Sequence, residues 1–410
     1  MRRTSGTLGE MQDLFKHMHS LFVGALFSLL IAGTGCKPQT TQTTTRIVAT
    51  PTLGSQPGSE NAPAISAKEP PKGPSWRIGY ERPSVIDVHG HISPRAFRLL
   101  RSTLDENGIR SMVNLSGGST DKRILMSQKM NQREPRLIPF YSPRWRRAAE
   151  LNFGLTEAKR LKQAVSKRGF RGLKIAKILG IGLRDVDGKR IPVDWPELDP
   201  LWEMAGKLGV PVAIHTGDPK AFWDPVNPEN ERYEELSLHP SWSMADPSSP
   251  SRQTLFDERN RMIKRHPKTT FICVHFGNNP EDLNAVDAWL NTYPNMLIDT
   301  SARIPEFGRH PPKQVREFFI RHKERILFGT DLGLSGRSIM LGSHGRETPT
   351  ANDIKPFYDA HWRYFEGSET QIDHPTPIQG KWKIDAVNLP SDVLEHLYWK
   401  NAVRVLKLKH

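Results

Sequence analysis

From residue 80 onward, short apolar or β-branched runs alternate with longer amphipathic stretches. The runs read VIDVHGHI (85–92), IRSMVNLS (109–116), RLIPFYS (136–142), FRGLKIAK (170–177), VPVAIHTG (210–217), TTFICVHFG (269–277), NMLIDTSA (295–302) and RILFGTDLG (325–333). Short runs of this kind, bounded by turn formers, predict strands. Between them, EAKRLKQAVSKRG, PELDPLWEMAGKLG, LFDERNRMIKRHP, PEDLNAVDAWLNTYP and KQVREFFIRHKE carry apolar residues at helical spacing. Nearly continuous apolar strands joined by helices are the pattern of a parallel sheet covered on both faces. Eight such units predict an α/β fold, a (β/α)8 barrel over residues 78–408. A doubly wound open sheet fits less well, because no glycine-rich dinucleotide loop is present.

The front of the chain is different. Early basic residues precede the apolar run LFVGALFSLLIAG (21–33), which is too short for a bilayer core of about 30 Å and reads as a cleavable export signal over 1–36. It ends in IAGTGCK, which resembles the lipobox of bacterial lipoprotein signals, with Cys36 as the acylated residue and Gly33 where a larger aliphatic residue is usual. The expectation is an exported protein of the bacterial cell envelope, held to a membrane through Cys36, with ordinary signal cleavage as the alternative. Residues 37–77 are rich in Thr, Pro and Ser and nearly free of large apolar side chains, so they cannot offset their own ordering entropy and predict a flexible tether. The second cysteine, Cys273, sits in an apolar strand and predicts a small buried hydrophobe. The formal net charge is +14. Lys and Arg look scattered along the chain rather than gathered into a stripe, and no recognition helix, zinc-finger spacing or RNA-binding aromatic motif is present. A solvated surface is the first reading, steering of anionic substrates the second, and no nucleic-acid partner is expected.

In a barrel of this kind, chemistry sits at the C-terminal ends of the strands. His89 and His91 end the first strand, Lys174 lies on the fourth, His215 ends the fifth, His275 the sixth and Asp331 the eighth. Asp87, His89 and His91 stand at alternate positions, and side chains at i and i+2 of a strand share a face. Two imidazoles directed together into a barrel are what two ligands of one ion require, and further ligands from distant strands complete a zinc-like set. Taken singly, each residue has a plainer role. A lone strand histidine is more often hydrogen-bonded in a core, a strand-terminal Asp often caps a turn, and a lysine can snorkel to solvent.

The segments DVHGHI, GLKI, AIHTGD, VHFGNNPEDL, FGTDLG and LPSDVLEHLYWKNAVRVL, in that order, resemble the amidohydrolase-2 branch of the metal-dependent amidohydrolase superfamily over roughly residues 80–408. The resemblance implies that His89, His91, His215 and Asp331 bind one divalent metal, zinc in preference, and that His275 contacts the activated water or the substrate. It implies Asp331 as the proton acceptor, Lys174 as an electrostatic contact or a second-metal ligand, and a homodimer as a common assembly. The reaction expected first is hydrolysis of an amide, lactone or ester. Non-oxidative decarboxylation of an aromatic or muconate-like acid is the alternative, and a non-catalytic binding lipoprotein the third reading.

Long insertions offer substrate contacts. The stretch after His215, TGDPKAFWDPVNPENERYEELSLHPSWSMADPSSPS, suits a lid over the mouth, with Trp223, Arg232 and Trp242 as candidates. Arg303 after the seventh strand and Arg144 after the third are candidates for a substrate carboxylate. GIGLRDVDGKRIPVD predicts a small hairpin turning at Asp187-Gly188.

Overall fold

The structure, a computed structural model, describes residues 76–77 and 79–408. The expected signal segment, Cys36 and the linker as far as residue 75 lie outside the described residues. The last two linker positions belong to the domain: the Trp76 N–H donates to Glu366 (3.3 Å) and the Arg77 guanidinium to the Leu389 carbonyl (2.6 Å). Among the described residues, no helix is long and apolar enough to cross a membrane.

Eight parallel strands follow one another in chain order, each paired with the next: β1 (Val85–Ile92), β2 (Ile109–Asn114), β3 (Leu137–Tyr141), β4 (Gly172–Ile175), β5 (Val212–Ile214), β6 (Phe271–Cys273), β7 (Met296–Asp299) and β8 (Ile326–Leu327). After a break the chain continues as β9 (Leu332–Leu334), parallel to β1, and returns as β10 (Ile339–Leu341), antiparallel to β9. The sheet is curled, and residues 326–334 serve both of its ends. Ile326 and Leu327 pair with β7, Val88 N–H donates to Phe328 O (2.9 Å) and Asp331 N–H to His89 O (2.9 Å). The eighth predicted run is one segment interrupted at Asp331, whose backbone is left-handed (φ 64°).

The connections are α1 (Phe97–Glu106), α2 (Asp121–Arg133), α3 (Phe153–Arg168), α4 (Asp199–Leu208), α5 (Tyr233–Leu238), α6 (Arg252–Arg265), α7 (Leu283–Thr292), α8 (Ile304–Phe307), α9 (Pro312–Arg321) and α10 (Ile354–Glu366). The chain closes with α11 (Ser391–Glu395), a π-helical stretch His396–Lys400, and α12 (Asn401–Leu406). Side chains at N-caps set several starts: Thr120, Ser251 and Asp282 accept from the backbone N–H groups of Arg123, Thr254 and Ala285. The predicted hairpin forms, with Asp185 N–H donating to Lys189 O (2.9 Å) and Gly188 supplying the left-handed turn (φ 77°).

Apolar residues alternate along the strands between two clusters. Phe271, Cys273, Met296 and Ile298 pack with helix residues such as Trp202, Val286 and Phe318. Ile272, Leu297, Leu327 and Ala213 pack with one another and with Ala402 and Leu406 of α12. Cys273 is fully buried, as a small hydrophobe would be. Both faces of the sheet are therefore covered, which leaves the polar strand ends as the place where buried charge has to be accounted for.

Candidate metal centre

The register of β1 against β2 shifts between Asp87 and Gly90. Such a bulge re-aims the side chains that follow it, so the three ionisable residues of this strand do not act as one face. The Asp87 carboxylate accepts from Tyr358 of α10 (2.9 Å) and from Thr330 Oγ1 (2.5 Å) and N–H (3.2 Å). His89 Nε2 and His91 Nε2 instead approach one oxygen of Asp331, Oδ1, at 3.4 and 3.3 Å. His89, His91 and Asp331 each direct a ligand atom at one spot, with all three atoms within 4.8 Å of one another. Gly329 permits the approach: a Cβ there would stand 3.0 Å from that of His89. Asp87, by gripping Thr330, fixes the turn that presents Asp331.

The far sides of the rings are held. His89 Nδ1 lies 2.9 Å from Asp299 Oδ2 and 2.8 Å from Ser301 Oγ. A carboxylate only accepts, so Nδ1 carries the hydrogen and Nε2 the lone pair. His275 Nδ1 donates to Ser301 O (3.0 Å), which turns its Nε2 lone pair into the site as well. Asp299 also accepts from the His275 N–H (2.7 Å), Ser301 N–H (3.2 Å) and Ser301 Oγ (2.5 Å). His91 Nδ1 meets Ser116 Oγ at 2.8 Å. The backbone is bent hard to arrange this: His275, Phe276, Ala302 and Asp331 all have φ between 51 and 64°, a conformation that costs a non-glycine residue about 1–2 kcal/mol and that gathers where function requires it.

Burial keeps the His89 and His275 imidazoles below the usual histidine range. It pushes Asp331 upward, but the contacts with His89 and His91, with Lys174 nearby, outweigh it and hold the carboxyl at about 2. At neutral pH a neutral imidazole lone pair therefore faces an ionised carboxylate. The two repel unless a cation lies between them, and two imidazoles with one carboxylate are a donor set suited to a divalent metal. Burial lowers Lys174 to about 8 against the pull of Asp299 and Asp331, and its ammonium has no hydrogen-bond partner among the described residues.

His215 stands beside this group rather than in it. Its ring packs on His275 (4.4 Å between centres), and His275 on His89 (4.7 Å). Its Nε2–H, however, is spent on Gly217 O (2.8 Å), with Asp218 at 3.4 Å, and burial lowers it to about 4. Next to the site is a cavity of about 100 Å³ whose wall includes His215, His275, Asp331, Arg303, Phe222 and Trp242. Arg303 is buried there; one nitrogen donates to Ala302 O (2.7 Å) and Nε has no partner among the described residues. The other loop candidates resolve differently. Arg232 reaches the cavity wall but is neutralised by Glu235 (2.6 Å) and Glu306. Trp223 packs its loop, with Nε1 donating to Pro250 O (2.9 Å). Arg144 is bound to the buried Glu157 (2.8 Å) and does not line the cavity. Asp299, Ser301 and Asp218 are the residues that sequence reasoning passed over. Their signal was present, as polar residues closing the apolar runs of the seventh and fifth strands.

A family model described as Amidohydrolase matches residues 91–408. No curated protein matches the chain. Among solved structures, the chain is similar to a 2,6-dihydroxybenzoate decarboxylase from Rhizobium, at 16% identity over 79% of this chain and 98% of that one, with a TM-score of 0.45. It is similar to a dihydroxybenzoic acid decarboxylase from Polaromonas with bound manganese, at 15% identity over 79% and 97% (TM-score 0.45). A 5-carboxyvanillate decarboxylase from Sphingomonas paucimobilis follows at 12% identity over 79% and 99% (TM-score 0.41).

Proposed function

Because the chain belongs to the amidohydrolase family, we propose that it is a metal-dependent hydrolase that opens an amide, lactone or ester in a small carboxylated substrate. The supporting observation is the convergence of His89 Nε2, His91 Nε2 and the Asp331 carboxylate on one point beside a cavity walled by Arg303. On this reading His89, His91 and Asp331 hold the cation, zinc in preference, His215 joins them as the further ligand once its Nε2 gives up the hydrogen bond to Gly217 O, and the curled sheet acts as a (β/α)8 barrel. A divalent metal at such a site polarises a carbonyl and acidifies water towards neutrality.

The protein groups do the rest. Asp331, ionised at neutral pH, accepts the proton of the attacking water and passes it to the leaving group. His275, whose Nδ1–H is fixed on Ser301 O, offers Nε2 as an acceptor that orients the attacking water. Asp299 and Ser301 keep both rings in the required tautomer. Arg303 takes the substrate carboxylate with its unspent donors. Phe222 and Trp242, with two buried cations in Arg303 and Lys174, favour one second reading, decarboxylation of an aryl acid seated on that wall. The metal-loaded protein, assayed for proton release from lactones, esters and amides and for carbon dioxide release from aromatic acids, separates the two. Carbon dioxide from aromatic acids with every lactone, ester and amide left intact overturns the hydrolase reading, and failure to bind stoichiometric metal overturns both.

We further propose, from the apolar run 21–33 and the IAGTGCK that ends it, that the protein belongs to a bacterial cell envelope with an acyl chain on Cys36. Incorporation of a fatty-acid label in cells, abolished by Cys36→Ser, is the expected result.

A further inference from the structure

The positive charge of this chain is not spread evenly. Residues 93–171 carry 18 Lys and Arg against six Asp and Glu, a net +12, where the whole chain has +14. This stretch forms α1, α2 and α3, which lie side by side outside the first strands. Arg133 of α2 stacks on Phe97 of α1 (4.5 Å to the ring centre), and Arg160 and Arg168 of α3 reach Asp121 and Gln128 of α2 at 2.6 and 3.0 Å. The scatter expected from the sequence is corrected by the fold, because successive crossover helices of a parallel sheet are neighbours.

The few carboxylates of this face are largely spent. Glu134 and Glu157 are buried against Arg136 and Arg144, while Asp121 holds Arg160 and Glu150 holds Arg147. Lys122, Arg123, Lys129, Arg146, Lys159 and Lys162 are exposed. Of nine exposed large apolar side chains among the described residues, four are here: Leu125 and Met126 on α2, Leu151 just before α3 and Leu155 in its first turn, with Leu151 90% exposed. Each of these helices begins at the C-terminal end of a strand. Lys122, Arg123, Leu151 and Leu155 therefore belong to the rim that carries His89 and His91.

We infer that the α1–α3 face docks on the anionic surface of a phospholipid bilayer, its cations on headgroup phosphates and Leu151 and Leu155 in the headgroup boundary. Nucleic acid would use the cations equally, but it gains nothing from bare leucines, and a single-stranded partner calls for exposed aromatic platforms. The large apolar side chains bared on this face are three leucines and a methionine. A chain anchored through Cys36 would then lie against the bilayer with the mouth near it, rather than stand off on its tether.

The test is co-sedimentation of the full-length protein with vesicles of phosphatidylcholine alone or containing phosphatidylglycerol. Binding to the neutral vesicles gives the baseline contribution of the apolar run 21–33. The wild type is expected to gain strongly on anionic vesicles. Lys122→Glu/Lys159→Glu/Lys162→Glu is expected to lose at least about tenfold of that binding. Lys264→Glu/Lys268→Glu/Lys313→Glu, on the sector of α6 and α9 and equal in charge change, is expected to stay within about twofold of wild type. Leu151→Ser/Leu155→Ser is expected to lose binding that added salt does not remove. Equal loss in both triple variants reduces the effect to net charge and overturns the proposal. So does no gain on anionic vesicles, or tighter retention by duplex DNA that the α2–α3 triple variant alone abolishes.

Discussion

Replacing Asp299 by Asn is expected to weaken metal binding far more than it weakens the fold. The Asp299 carboxylate accepts four hydrogen bonds, from His89 Nδ1, the His275 and Ser301 N–H groups and Ser301 Oγ, at 2.9, 2.7, 3.2 and 2.5 Å. An Asn oxygen in the place of Oδ1 keeps the contacts with His275 and Ser301. Its NH2 then faces His89 Nδ1, a donor set against a donor. The imidazole responds by moving its hydrogen to Nε2, the atom that stands 3.4 Å from Asp331, so the position a cation needs is occupied by a proton. Loss of a carboxylate behind a histidine ligand costs about 10–100-fold in metal affinity, or about 1.4–2.8 kcal/mol. The folded apo protein loses one charge-assisted hydrogen bond, worth about 1.5–3 kcal/mol, but is relieved of a buried charge, and the two changes oppose each other. Competition with a chromophoric chelator gives the metal affinity, and urea unfolding of the chelator-treated protein gives the apo stability. A variant with metal affinity within about twofold of wild type and a marked drop in apo stability would refute the reasoning. Asp299 would then hold the strands together and leave the ligands alone.

Arg303→Met is expected to raise KM about 10–100-fold with kcat little changed, the loss of one charge-assisted contact made equally in ground and transition states; steady-state kinetics on a carboxylated substrate checks it. Arg232→Ala leaves Glu235 and Glu306 as buried carboxylates without their shared cation and is expected to destabilise the fold by about 3–5 kcal/mol in urea unfolding. Burial lowers His361 to about 4, below the usual value near 6.5, so the unfolded chain takes up its proton first. Stability from this group is complete above about pH 6.5 and is lost, by up to about 1.4 kcal/mol per pH unit, as pH falls towards 4. His361→Gln should show a smaller fall in unfolding free energy between pH 7 and pH 5 than wild type.

Local pattern decided a good deal here. Short, nearly continuous apolar runs between amphipathic stretches marked all eight strands, because a sheet covered on both faces takes apolar side chains in both directions and that code is read within a few positions. The same code put His89, His91, His215, His275 and Asp331 at strand ends, and the residues of a small hairpin at Asp187-Gly188. It misjudged Asp87, since one shifted register in β1 reverses direction and leaves no mark in the composition. It also treated Arg144, Arg232 and Arg303 as equivalent candidates. Their difference is the carboxylate each one meets: Glu157 for the first, Glu235 and Glu306 for the second and none for the Arg303 Nε.

What only the tertiary structure decided is how the donors are paired. Asp299 stands 210 positions from His89, and Thr330 stands 243 from Asp87; such contacts exist because a curled sheet brings its first and last strands together. The left-handed backbone at His275, Phe276, Ala302 and Asp331 was equally silent in the sequence, where glycine is the usual sign of that conformation. The amino-acid sequence by itself determined where the strands run and which residues lie at their ends. The choice of which lone pair each imidazole presents, and which cation each carboxylate already holds, came from long-range packing, because hydrogen bonds and charge act across a few ångströms of space regardless of the length of chain between the groups.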